Sequence, residues 1–136
     1  MYLVDTSVWI DYFRDRNNAP VRYLVDILEN KIPFSITGMI YQEVLQGTAS
    51  LRDFETLADY FSTQQFVYPK DNFLTHHETA KLYFDCRKKG ITIRSSVDCL
   101  SAQIAIEQKL TILHNDKDFN NIKKIRPKLL LVTHDD

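Results

Sequence analysis

The chain has 136 residues, 44% of them apolar and 26% charged, with only three glycines and four prolines. That is enough for one domain with a buried core, and it excludes a disordered or low-complexity segment. The formal charge of −1 lacks the basic excess usual in a nucleic-acid binder, and no apolar run is long enough to cross a bilayer.

In chain order, Tyr2–Asp5 reads as a first strand, apolar and ending in an acid. Because this segment begins at once, no signal peptide is expected, and the cytosol is the expected compartment. Asp5 or Thr6 then caps a helix through Trp9, Ile10, Tyr12 and Phe13. A second helix, from Pro20 to about Asn30, sets Val21, Leu24, Val25 and Leu28 on one face at helical spacing. Pro33–Thr37 is the second strand, and Thr37 can cap a helix carrying Ile40, Glu43, Val44 and Leu45. Gly47 is expected to end that helix as the residue past its C-cap. Ser50 opens the next helix, with Leu51, Phe54, Leu57, Ala58 and Phe61 along one stripe.

Phe66–Tyr68 is a short strand closed by Pro69. Asp71 begins a long helix through Cys86 that stops at Gly90, after the basic run Arg87-Lys88-Lys89. Ser95 or Ser96 opens a helix bearing Asp98, Ala102, Ala105 and Ile106. The strand Thr111–Leu113 leads into His114-Asn115-Asp116-Lys117-Asp118-Phe119, read as a turn, and Leu129–Val132 closes the sheet. Strand-type runs alternating with helical ones predict one doubly wound α/β domain over residues 1–136, built on a parallel sheet. Cys86 and Cys99 match no metal spacing and are read as small buried thiols in a reducing compartment.

In such a sheet, ligands sit beyond the carboxyl ends of the strands, where strand order reverses. Asp5 follows the first strand, and Asp116 and Asp118 follow the strand at Thr111–Leu113, so these acids belong at one edge. Each acid also has a plain structural role open to it. Asp5 can be a helix N-cap, and Asp116 can cap the turn that follows it. Ser95-x-x-Asp98 can be a capping box. Glu43 can be solvated surface, although Ile40 and Val44 put it at the margin of a buried stripe.

Taken together, the acids point to chemistry. Carboxylates gathered in one cleft repel one another, and a divalent cation removes that conflict. Oxygen-only donors, with no His or Cys at metal spacing, suit Mg²⁺ or Mn²⁺ rather than zinc. Such ions activate water and stabilise charge on a phosphoryl oxygen, as phosphodiester hydrolysis requires. If the five acids Asp5, Glu43, Asp98, Asp116 and Asp118 belong to the site, 13 acids remain (18 − 5) against 17 bases, a mild basic excess compatible with a phosphate-bearing substrate.

The opening Val4-Asp5-Thr6-Ser7-Val8-Trp9-Ile10-Asp11 resembles the signature of PIN-domain ribonucleases, closest to the VapC-type toxins of toxin–antitoxin pairs. Three further stretches match in the family's order: Gln42 to Gly47, Asp98 to Ala105, and Asn115 to Phe119. The resemblance runs from Met1 to about Val132.

It implies a five-stranded parallel sheet with helices on both faces. It places Asp5, Glu43, Asp98 and Asp116 at the catalytic metal site, Asp118 as an auxiliary acid ligand, and Thr6 or Ser7 as the hydroxyl that supports them. The implied cofactor is Mg²⁺ or Mn²⁺. The implied activity is endoribonuclease cleavage of tRNA or another structured RNA by in-line attack of a metal-activated water, leaving a 5′-phosphate and a 3′-hydroxyl. A homodimer and a small antitoxin that fills the groove and blocks the acids complete the expectation.

The chain departs from the pattern at one position, where His114 stands in place of a frequent Thr or Ser. It is read as a structural strand-end residue, with phosphate contact or proton donation as the alternatives. Arg87, Lys88 and Arg94 are the candidate RNA contacts, against a solvated helix end whose cations complement the dipole. Trp9, Tyr12 and Phe13 are read as core or dimer packing rather than base-stacking groups.

A phosphoacceptor receiver domain also gathers acids at a sheet edge. It would need a phosphorylatable Asp after the third strand and a Lys after the last, and this chain has neither at Val67-Tyr68-Pro69 or beyond Val132. A non-catalytic binding module is disfavoured by the intact acids, and a housekeeping RNA-processing nuclease by the lack of an extra domain.

Overall fold

The computed structural model describes residues 1–133, so the last positions of the expected domain lie outside the described residues. The elements run β1 (Tyr2–Val4), α1 (Thr6–Phe13), α2 (Ala19–Glu29), β2 (Phe34–Thr37), α3 (Gly38–Gln46) and α4 (Leu51–Ser62). They continue with β3 (Gln65–Val67), α5 (Asn72–Lys88), α6 (Ser96–Gln108), β4 (Thr111–Leu113), α7 (Lys117–Ile125) and β5 (Leu130–Leu131).

The five strands pair in the order β3-β2-β1-β4-β5, every pair parallel. The chain therefore steps outward from β1 to β2 and β3, then crosses back to place β4 on the other side of β1. Because such crossovers are right-handed, that reversal puts the helices before β3 and those after it on opposite faces. The helix contacts agree: α1 packs on α2 and α3, and α3 on α4, while α5, α6 and α7 pack on one another. Strand order reverses between β1 and β4, where the β1–β4 ladder ends with Asp5 N donating to Leu113 O at 2.9 Å.

Local chemistry explains the helix starts. Seven side chains accept from a backbone N–H in the first turn they cap: Asp5, Asn18, Thr37, Ser50, Asp71, Ser95 and Asp116. Each satisfies a donor that the helix itself leaves without a partner. Gly47 departs from expectation, since it closes α3 at φ −83° and no left-handed residue is used there. Gly90, after α5, does take φ +74°, where a Cβ would be strained.

Sequence reading had only a turn between Asp116 and the last strand, and the structure places α7 there. Phe119 and Ile122, three apart, are its fully buried apolar pair, in a segment that is otherwise mostly polar. The core is one cluster through both layers. At its centre Trp9 is fully buried, with ring centroids 5.0 Å from Phe61 and 5.6 Å from Phe34. Trp9 is thus a core anchor, and truncating a side chain of this kind costs about 3–5 kcal/mol. Cys86 and Cys99 are buried free thiols.

Candidate metal centre

The site forms at the carboxyl edge of the sheet, on both sides of the strand-order reversal. Asp5 leaves β1 there and caps α1. Its Oδ2 accepts from Ser7 N at 3.0 Å and from Ser7 Oγ at 2.7 Å. Thr6, the residue between them, turns the other way and donates Oγ1 to Glu43 Oε1 at 2.8 Å. Both hydroxyls of the Thr6-Ser7 pair are therefore used, one on each acid, where the sequence left a choice between them.

The other half comes from α6 and from the segment between β4 and α7. Asp98, Asp116 and Asp118 each offer an oxygen within 4.8 Å of the others. Asp116 Oδ1 accepts from Asp118 N at 2.9 Å, which is the α7 cap. Asp118 Oδ2 accepts from Arg94 N at 3.0 Å. Asp98 sits in the first turn of α6, but the capping box does not form. Ser95 Oγ accepts from Val97 N, and Asp98 N donates to Ser95 O instead. The Asp98 carboxylate is buried, and its Oδ2 has no hydrogen-bond partner.

Electrostatics join the halves. Burial pushes the Asp98 carboxyl up to about 8, helped by the charges of Asp5, Asp116 and Asp118 and by a hydrogen bond shared with Asp116. Burial also raises Asp5, against the two Ser7 hydrogen bonds, and Glu43 and Asp116 add to the rise. Buried carboxylates that oppose one another's ionisation, one of them with a lone oxygen, are a mismatch for a site without a cation. All the donors are carboxylate oxygens, so they fit a hard divalent ion. Asp98, Asp116 and Asp118 are the residues whose mutual spacing suits direct ligation, with Asp5 and Glu43 facing them as further acids.

Arg94 lies at this edge, with NH2 on Asp116 Oδ1 at 2.9 Å and Nε 3.7 Å from Asp118 Oδ2. Its side chain is 72% exposed, so it covers the acids from the solvent side. Arg87 and Lys88 end α5 and pack over the rings of Tyr83 and Phe84, at 5.9 and 5.7 Å from the centroids. No hydrogen bond or ion pair among the described residues links either of them to the acids.

His114 is buried, its ring 5.0 Å from that of Phe119. Its Nδ1 accepts from Asp116 N at 3.1 Å. A Ser or Thr hydroxyl makes the equivalent bond to a backbone N–H two residues on. In this geometry His114 packs on Phe119 and accepts a hydrogen bond within the edge.

Sequence reasoning gave no role to Asp11 or to the side chain of Asn115, yet both are woven into this edge. Asn115 N donates to Ser7 Oγ at 3.0 Å, and Asn115 Nδ2 donates to the buried Asp11 Oδ2 at 3.0 Å. The one available signal was spacing, because Ser7 and Asp11 are four apart on α1 and share a face.

A PIN domain family model matches residues 2–125 of the chain. The VapC ribonuclease Mb1587 of Mycobacterium bovis is 31% identical over 126 residues, covering 92% of this chain and 93% of that protein. Ribonuclease VapC11 of Mycobacterium tuberculosis matches to the same extent. Among solved structures, VapBC-1 from nontypeable Haemophilus influenzae aligns with a TM-score of 0.71 at 18% identity, over 96% of both chains. VapBC2 from Rickettsia felis, bound to a DNA fragment from its promoter, aligns at 0.70 and 19% identity, over 98% of both chains. Fold and sequence agree: the chain is a PIN-domain protein of the VapC ribonuclease family.

Proposed function

We propose that the protein is the toxin ribonuclease of a toxin–antitoxin pair, an Mg²⁺- or Mn²⁺-dependent endoribonuclease acting on tRNA or another structured RNA in the cytoplasm. The observation that carries this reading is the buried, unpartnered Oδ2 of Asp98 beside Asp116 and Asp118, at the strand-order reversal. A divalent cation held there supplies an activated water and a Lewis acid for a phosphodiester.

The chain's own residues orient and neutralise. Asp98, Asp116 and Asp118 would hold the ion. Ser7 and Thr6 set the rotamers of Asp5 and Glu43, so that these acids present fixed oxygens to the cleft. Arg94, exposed and already seated at the acids, is the side chain best placed to receive a substrate phosphate, since its planar fork suits phosphate oxygens. Arg87 and Lys88 are further candidates for the RNA backbone, where Lys and Arg contribute affinity without reading sequence.

The names of the relatives and neighbours support the assignment. Two are called ribonucleases, and two are VapBC assemblies. From the VapBC names we also infer a small antitoxin partner, and from the family resemblance a homodimer.

Asp5→Asn and Asp98→Asn should each abolish cleavage of a tRNA pool while leaving the circular dichroism spectrum unchanged, and chelation of divalent ions should silence the native chain. Equal cleavage by both variants in Mn²⁺ would overturn the site assignment.

A further inference from the structure

Beyond Leu113 the β1–β4 ladder has ended, so nothing in the sheet fixes the segment that delivers Asp116. Beside the bonds of Asp116 N to His114 Nδ1 and of Arg94 and Asp118 N to the Asp116 carboxylate, what ties the segment to α1 is a staple. Asn115 is gripped at two points, its backbone N–H by Ser7 Oγ and its side-chain amide by Asp11 Oδ2. Ser7 in turn donates to Asp5 Oδ2, so an unbroken hydrogen-bonded chain runs from Asp5 through Ser7 and Asn115 to Asp11.

Asp11 is itself held firmly. It is buried, and Oδ1 accepts from Arg16 NH1 at 3.2 Å while Oδ2 also accepts from Asn18 Nδ2 at 3.1 Å. The chain reverses after α1 through Asp15 at φ +55°, which brings Arg16 and Asn18 back onto that carboxylate. A buried acid with three donors on two oxygens is a rigid post.

We propose that Asp11 is a positioning residue for the cation site. Acting through Asn115, it fixes Asp116 relative to Asp5 and so sets the affinity for the divalent ion. This rests on the reading of the acids as a cation site. Groups that orient metal ligands from behind typically change metal affinity by about 10–100-fold when removed.

The test is Mn²⁺ binding by isothermal titration calorimetry on the full chain, with thermal melting alongside. Asn115→Ala keeps the backbone bond to Ser7 and the Arg16 and Asn18 bonds to Asp11, removing only the side-chain link. It should weaken Mn²⁺ binding about tenfold with little change in melting. Asp11→Ala should weaken binding at least as much, and adding Asn115→Ala to it should cause no further loss. Asp11→Asn retains an oxygen for Asn115, so it should bind Mn²⁺ close to the native chain even though it sets an amide against Arg16.

If Asp11→Ala and Asn115→Ala bind Mn²⁺ as tightly as the native chain, Asp11 merely anchors the turn after α1 and the inference falls. If the native chain itself binds no Mn²⁺, the cation reading fails first and takes the inference with it.

Discussion

The two halves of the acidic edge are held by different means. Asp5 and Glu43 are held by neutral hydroxyls, Ser7 on one and Thr6 on the other, which fix direction without cancelling charge. Asp116 and Asp118 are held by backbone N–H groups and by Arg94, which cancels charge as it binds. Asp98, between them, has a buried oxygen held by nothing. The difference teaches where a cation would belong: the hydroxyl-held acids are aimed by neutral partners, while an arginine already stands at the acids that would ligate the ion.

The largest effect that tests this contrast is at Asp98. Its carboxyl is raised from 3.8 to about 8 in the folded chain. Between those values the folded state binds more protons than the unfolded state, so stability falls as pH rises. Metal-free Asp98→Asn should therefore melt higher than the native chain above pH 8, with the gap closing toward pH 4, as read by calorimetry in chelator. An equal gap at both ends would show that the carboxyl is not the strained group.

A smaller effect is expected at the hydroxyl-held half. Thr6→Val keeps the shape but frees Glu43, and should lower cleavage by about tenfold with little change in melting. A melting loss without a rate loss would make Thr6 a packing residue. The smallest effect is at Arg94, an exposed ion pair worth no more than about 1 kcal/mol. In the absence of RNA, Arg94→Ala should tighten Mn²⁺ binding, by at most about fivefold, because it removes a competing cation. Weaker Mn²⁺ binding would mean that Arg94 organises the acids rather than substituting for the ion.

Much of this architecture was legible in the sequence because it is local. N-cap side chains such as Thr37, Ser50 and Asp71 announce their helices by satisfying nearby backbone donors. The acids were legible as strand-end positions in a parallel sheet. Asp98 was ambiguous because Ser95-x-x-Asp98 fits a capping box, and only packing shows its Oδ2 left without a partner in the interior.

α7 was missed because its helical signal rests on little more than Phe119 and Ile122. Asp11 was missed for a different reason. Its Asn115 partner lies 104 residues away, and no local pattern encodes a bond across that span.

Cys86 and Cys99 carry a practical consequence. Both are fully buried, on α5 and α6, and burial raises the thiol of each, that of Cys99 to about 12. Thiolate is the reactive form, so both thiols should resist alkylating reagents while the helices stay packed. The rate at which either sulfur is labelled then clocks the parting of these two helices. An observer thus has two native chemical probes of opening on the face of the sheet opposite α1, without adding a dye or changing a residue.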